Sequence, residues 1–325
     1  MQSLPVVILA AIAFISLPSA LPESNKGMEE SVALIECREQ YEITRGGKVV
    51  AVCSGIDSDS TLCMVKEKAD SDTEQKALVC GAWINRYSFM PSCGGRIFTV
   101  NPFYGKGDMV ALANKCIGEV LQKTTERMQE TLKMDKTKQT ELDYYLDTHN
   151  VSDEGYNTMA EYAEENKRRR NTLERSIELL EKLGDGKGVR VRKRTFYALL
   201  YPNGGKKMAR MTCCIDPKES KRHDRGTVVL RTTDGFMPES CNSVYPFCLI
   251  DMSPERGDSV QVAAVFGLSL RNDVNKTAVK PNVFRGVATS KASHDIPELL
   301  APDGSPVFSS KGFFVGISYK GRIAK

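Results

Sequence analysis

The longest periodic stretch of the chain covers residues 108–183, where apolar side chains recur at steps of three and four. This spacing places them along one side of an α-helix, so the stretch predicts helical structure. Asp108 is a suitable N-cap, and the glycines that follow Leu183 end the helical pattern. Residues 149–155 break the periodicity in the middle and predict a turn.

Two helices on either side of a short turn favour an antiparallel helical hairpin, which we assign to residues 108–184. The alternative is a parallel coiled coil that joins several copies of the chain. Asp135, Asn166 and Arg170 interrupt the apolar stripe, which weakens a coiled-coil seam. The hairpin is therefore favoured, and the oligomeric state stays open.

Before the helices, residues 21–107 show short apolar stretches separated by glycine and Asp/Ser clusters, a pattern typical of strands and turns. A helix over residues 28–42 is an alternative at the start of this region. The region has few large apolar residues and a single tryptophan, Trp83. We therefore predict a cysteine-rich head whose main stabilisation comes from disulfides.

After the helices, residues 185–194 form a basic, glycine-containing linker, and residues 195–325 contain several short strand-like stretches. Two of these flank the sequence Pro-Asn-Gly-Gly at residues 202–205, which is a strong hairpin signal. The expected fold class is α+β, with a disulfide-rich head, a long helical hairpin and a C-terminal antiparallel β-rich domain, either a sandwich or a barrel.

The first residues indicate where the protein works. Residues 4–17 are uncharged and apolar, and Pro18, Ser19 and Ala20 provide the small residues of a cleavage site. Residues 1–20 therefore predict a signal peptide and a secreted, extracellular protein without a membrane span after cleavage. Secretion places the cysteines in an oxidising compartment, where disulfides form and persist.

The cysteines fall into two even groups, six that precede or enter the helical stretch and four that follow it, so each group can pair within itself. Spacing alone does not select the pairing. The predicted disulfide residues are Cys37, Cys53, Cys63, Cys80, Cys93, Cys116, Cys213, Cys214, Cys241 and Cys248. The chain has no C-x-x-C pair and its histidines are scattered, so we predict neither a metal site nor a cofactor.

The net charge of +4 is unevenly distributed, with lysines and arginines concentrated after the hairpin. In a secreted protein such a basic patch favours an acidic glycan or an acidic protein over nucleic acid. The residues of this predicted basic patch are Lys187, Arg190, Arg192, Lys193, Arg194, Lys206, Lys207 and Arg210. A solvated surface without a partner is the alternative.

Motifs of catalysis are missing from the sequence: it contains no G-x-S-x-G, H-E-x-x-H, phosphate-binding loop or G-x-G-x-x-G. We therefore predict no catalytic residues and a protein that is not an enzyme. A hydrolase without a recognisable motif remains as a distant alternative, because paired carboxylates need only the right geometry.

The most specific short motif is Arg256-Gly257-Asp258, the tripeptide that integrins recognise, between two predicted strands. Asn150 and Asn275 each begin an N-glycosylation sequon. These features predict a secreted glycoprotein with a binding or structural role in the extracellular matrix or at the cell surface, with adhesion through the tripeptide. The alternative function is recognition of glycans or of another protein through the basic patch.

Overall fold

The computed structural model describes residues 24–85, 94–105, 108–202, 208–221, 223–244, 253–268 and 279–325. The described chain divides into two compact units. The first contains the residues up to Arg38, Lys76–Tyr104 and the residues from Phe196 onward. The second contains Glu39–Gln75 and the residues from 105 to Thr195.

Helices occur in both units, and the two longest form a pair. In chain order the helices are α1 (Asn25–Glu30), α2 (Asp108–Lys115), α3 (Ile117–Thr148), α4 (Tyr156–Leu183) and α5 (Pro217–Ser220). A short 3-10 turn covers Thr233–Gly235.

One closed barrel consists of six strands, and a further strand, β2 (Lys48–Cys53), extends from its strand β1. In spatial order the ring is β1 (Val32–Arg45), β5 (Gln75–Trp83), β6 (Arg96–Val100), β9 (Thr227–Thr232), β8 (Met208–Ile215) and β7 (Val189–Pro202), and β7 pairs with β1. Closure leaves no open sheet edge in the ring. A separate two-stranded sheet is formed by β3 (Gly55–Ile56) and β4 (Leu62–Cys63).

The second closed barrel lies entirely in the C-terminal part of the chain. Its strands, in spatial order, are β10 (Ser259–Ala264), β11 (Asn282–Ser290), β12 (Ser293–His294), β15 (Arg322–Ala324), β14 (Phe314–Tyr319) and β13 (Pro306–Ser309). Val260 and Val262 of β10 and Val307 of β13 are fully buried in its core. Burial of such side chains stabilises a barrel by removing apolar surface from water.

Helices α3 and α4 run antiparallel, and polar residues hold them in register. Asn166 Nδ2 donates to the Asp135 carbonyl oxygen and to Gln139 Oε1, both at 2.9 Å. Arg169 donates through Nε and Nη2 to the two carboxylate oxygens of Asp135. The predicted helical hairpin is therefore present, with the turn between residues 148 and 156. Helix α2 is separate from α3, because the helix is interrupted at Cys116.

The predicted fold class, however, is wrong. Strands β1, β5 and β6 come from the predicted head, β7 spans the predicted linker and the start of the predicted tail, and β8 and β9 come from that tail. All six nevertheless form one barrel. Residues Val100 and Thr227, for example, are neighbours on β6 and β9. The fold is a mixed α/β arrangement of two closed six-stranded barrels and a helical hairpin, because the strands pair across the hairpin insertion.

The prediction of a disulfide-rich head is also wrong. No disulfide joins cysteines among the described residues, and the free thiols include those of Cys37, Cys53, Cys63, Cys80, Cys116, Cys213 and Cys214. The first unit has a substantial apolar core instead, in which Trp83, Phe98 and Leu230 are almost completely buried. Burial of this apolar core stabilises the unit, whereas the sequence predicted that disulfides would be its main stabilisation.

The alternative helix over residues 28–42 is wrong, because helix α1 ends at Glu30 and residues 32–45 form strand β1. Several predicted features lie outside the described residues: the signal peptide of residues 1–20, Cys93, Cys248, Asn275, Lys206 and Lys207. Within the described part of the chain, no helix is both long enough and apolar enough to cross a membrane.

Candidate functional site

The Arg256-Gly257-Asp258 tripeptide lies on a surface turn that leads directly into β10, and all three residues are exposed. Gly257 has φ of +96°, a backbone conformation that strongly favours glycine. A Cβ atom at this position would meet no neighbouring atom within 4 Å, so the requirement for glycine comes from the backbone conformation.

Backbone hydrogen bonds attach this turn to the second barrel. The Asp258 N–H donates to the Glu255 carbonyl oxygen at 3.0 Å, which closes the turn. The Gly257 N–H donates to the Ala288 oxygen at 2.9 Å, and the Ala288 N–H donates to the Asp258 oxygen at 2.8 Å. Because Ala288 belongs to β11 and is buried, the tripeptide is supported by the barrel wall.

The carboxylate of Asp258 has one oxygen engaged in the turn. Its Oδ2 accepts a hydrogen bond from the Glu255 N–H at 2.8 Å. The other oxygen, Oδ1, accepts no hydrogen bond from the described residues and lies on an exposed side chain. The turn thus fixes the direction of the acid and leaves one oxygen for an external cation or donor.

The structure does not bring the predicted basic patch together as a set of unpaired cations. Acidic residues neutralise four of its members: Lys187 pairs with Asp185, Lys193 with Glu39, Arg194 with Glu42 and Arg210 with Glu36. Arg190 and Arg192 are exposed on β7 and have no ion pair within the described residues.

Lys193 in particular points inward. Its Nζ lies 2.6 Å from Glu39 Oε2, and the Glu39 side chain is completely buried. The Tyr41 hydroxyl donates to Glu39 Oε1 at 2.9 Å. Burial, followed by this hydrogen bond, raises the pKa of Tyr41 above its usual range, so the phenol stays protonated and remains a donor. The three side chains form a structural cluster within the second unit.

The cysteines are mostly sheltered. Burial raises the pKa of Cys53 to about 12 and that of Cys213 to about 11. Burial and a hydrogen bond to Asp57 raise the pKa of Cys63 to about 12. Thiols with such pKa values stay protonated and react slowly. Cys116 and Cys214 are exposed.

Of the two predicted sequons, the one at Asn150 lies on the exposed turn between α3 and α4, with Val151 and Ser152 also exposed. The Asn150 N–H donates to Asp153 Oδ2 at 2.8 Å, which keeps the turn closed. Among the described residues, no group of three or more His, Cys, Asp or Glu side chains is arranged to hold a metal ion.

The first unit also contains a cavity of about 570 Å³, lined in part by Trp83, that the sequence did not predict. Its walls come from seven separate stretches of the chain, so no local pattern indicated it. The sequence contains a single tryptophan, Trp83, but one aromatic residue does not predict a cavity.

Comparisons of this chain with protein-family models, with curated proteins and with solved structures gave no match.

Proposed function

We propose that this protein is secreted and binds a cell-surface receptor of the integrin type through Arg256, Gly257 and Asp258. The observation that carries the proposal is that all three residues of the tripeptide are exposed, on a turn hydrogen-bonded to a closed barrel. The protein would act by binding, in the extracellular matrix or at the cell surface.

The chemistry of recognition follows from the two opposite charges. The Asp258 Oδ1 oxygen completes the coordination of a receptor-bound cation, and the Arg256 guanidinium forms a paired hydrogen bond with a receptor carboxylate. Because hydrogen bonds already hold the turn, little conformational entropy is lost on binding.

Export of the chain is supported by the leader sequence at residues 1–20 and by the exposed sequon at Asn150. Unpaired thiols are compatible with export where the protein shields them. Cys37, Cys53 and Cys80 are fully buried, and burial raises the pKa of each thiol. A protonated and inaccessible thiol resists oxidation.

The direct test is attachment of integrin-bearing cells to surfaces coated with the purified protein. Asp258→Glu keeps the charge but moves the carboxylate by one methylene, and Arg256→Lys keeps the charge but removes the planar fork. We expect both variants, and removal of divalent cations with a chelator, to reduce attachment by at least about ten-fold.

The matched control is Arg285→Lys, a similar change at an exposed position of the neighbouring strand β11. It should leave attachment unchanged, and circular dichroism should show that every variant is folded. Equal attachment to the wild-type protein and to Asp258→Glu would remove the adhesion role.

A second candidate function, binding of an acidic glycan, is favoured by Arg190 and Arg192, which are exposed two residues apart on the same face of β7. The double variant Arg190→Ala/Arg192→Ala should be retained less strongly on a heparin column than the wild-type protein. This difference in retention should become smaller as the salt concentration is raised, because salt screens the charge contacts. The double variant Lys133→Ala/Lys138→Ala, which removes two exposed lysines of α3, is the control that should retain binding.

A further inference from the structure

The first unit contains a cavity of about 570 Å³ at one end of the first barrel. Its walls include helix α1, the start of β1, the end of β5, the end of β7, the start of β8 and the residues that lead into β11. This volume lies in the range of pockets that bind small molecules and cofactors. The cavity does not include the Arg256-Gly257-Asp258 turn, so it represents a separate site.

The inner wall of the cavity is apolar. Leu34, Leu199, Leu200 and Val265 line it, and each of these side chains is more than nine-tenths buried. Tyr201 adds a half-buried aromatic ring, which packs against Phe236 with ring centroids 5.0 Å apart. Water gains few hydrogen bonds against such a surface, so an apolar molecule displaces it favourably.

One buried polar group breaks this apolar lining. Trp83 is 1% exposed, and its indole Nε1 has no hydrogen-bond partner among the described residues. A buried N–H group without a partner typically costs about 1–3 kcal/mol, so its presence in a cavity wall needs a physical reason. The indole N–H can only donate a hydrogen bond, and a ligand that satisfies it must bring an acceptor.

The rim of the cavity is polar and charged. Lys26 and Glu30 of α1 form an ion pair of 3.5 Å across one side, and Lys280 is exposed on another side, before β11. An apolar interior with a charged rim matches an amphiphilic molecule, whose polar end can also remain near the solvent.

We propose that this cavity binds a small, mainly apolar molecule that carries a carboxylate or carbonyl oxygen, and that the Trp83 indole N–H donates a hydrogen bond to that oxygen. The apolar body of the ligand contacts Leu34, Leu199 and Leu200. The ligand class is thus that of fatty-acid-like carboxylates and related carbonyl compounds.

The protein provides its own reporter for a test, because Trp83 is the only tryptophan in the chain. Its fluorescence is measured while the full-length protein is titrated with decanoate or with decylammonium, below the concentrations at which they form micelles. The two probes share one alkyl chain, but only decanoate carries an acceptor. We expect a saturable change of emission with decanoate, and about ten-fold weaker binding of decylammonium.

Two variants locate the binding. Trp83→Phe keeps an aromatic ring but removes the N–H, so calorimetry should show about ten-fold weaker binding of decanoate and unchanged binding of decylammonium. Asn282→Phe places a ring at the exposed rim and should block both probes, whereas Thr289→Phe, exposed on the same strand and away from the cavity, should not.

The proposal is overturned by an unsaturable emission change with decanoate, by equal affinities for the two probes, or by undiminished binding to Asn282→Phe. This last variant tests the site even if Trp83→Phe fails to fold. None of these outcomes depends on cell attachment, so the cavity and the adhesion turn are tested separately.

Discussion

Replacing Lys193 with methionine should strongly destabilise the protein, because Lys193 neutralises a carboxylate that has no contact with water. The Glu39 side chain is completely buried, and Lys193 Nζ lies 2.6 Å from its Oε2. Methionine keeps the length and the apolar stem of lysine but removes the charge. Glu39 would then be left with the Tyr41 hydroxyl, at 2.9 Å, as its remaining side-chain donor.

The expected loss can be derived from this geometry. Removal of one member of a buried ion pair typically costs about 3–5 kcal/mol, because the remaining charge is uncompensated. The Lys193 side chain is 17% exposed, so water screens the pair partly and the lower end, about 3 kcal/mol, is expected. Glu39→Gln should cost less, about 1–2 kcal/mol, because it leaves a neutral amide inside and a lysine that can reach solvent.

Urea unfolding followed by circular dichroism gives these free energies, provided that the slope of the transition is unchanged. The double variant should lose less than the sum of the two single variants, because Glu39 and Lys193 interact directly. Arg192→Met, at the exposed neighbouring position, should change stability by no more than about 0.5 kcal/mol. A loss below about 1 kcal/mol for Lys193→Met, or strictly additive losses, would refute the argument.

Three further predictions concern the hairpin, the thiols and the second barrel. Asp135→Ala should lower the free energy of unfolding, measured in urea, by about 1–3 kcal/mol, because it removes a buried carboxylate that is hydrogen-bonded to the opposite helix. Glu141→Ala, at an exposed position of the same helix, should leave it unchanged, and equal stabilities of the two variants would contradict this. Brief iodoacetamide treatment of the folded protein without reductant should label the exposed Cys116 and Cys214 before the buried cysteines, as measured by peptide mass spectrometry. The prediction is contradicted if Cys116 and Cys214 stay unlabelled, even after the protein is unfolded in urea. Burial lowers the pKa of His294, so His294 is protonated more readily in the unfolded chain than in the folded protein as the pH falls. The melting temperature should therefore decrease below about pH 6.5, and the variant His294→Gln should show a smaller decrease.

The helical hairpin was predictable because its signals are local. Apolar steps of three and four, a capping residue and terminal glycines all lie within the segment itself. In the apolar stripe by itself, Asp135 and Asn166 are interruptions that predict weaker pairing of the helices. In the structure these residues bond to the opposite helix, so they contribute to its register. Sequence spacing identified the positions but did not reveal their partners.

Strand β1 was difficult to predict because three of its polar residues mimic a helical pattern. Glu36, Glu39 and Glu42 recur every three residues and look like one exposed face of a helix. All three are instead more than nine-tenths buried and paired with Arg210, Lys193 and Arg194, respectively. The burial of a carboxylate depends on a cation from a remote strand, and that information is absent from the local sequence.

The same ion pairs explain why the tripeptide and the basic patch had different outcomes. Arg256, Gly257 and Asp258 are adjacent in sequence, so a single exposed turn is sufficient to present them together. The basic patch depended on charges staying unpaired over a longer stretch, and the glutamates of β1 neutralise several of them. The cavity beside Trp83 is harder still to predict from the sequence, because its walls come from distant stretches of the chain that meet only in the folded barrels. A site is therefore predictable from one sequence to the extent that its residues are close along the chain and its charges are not matched by remote strands.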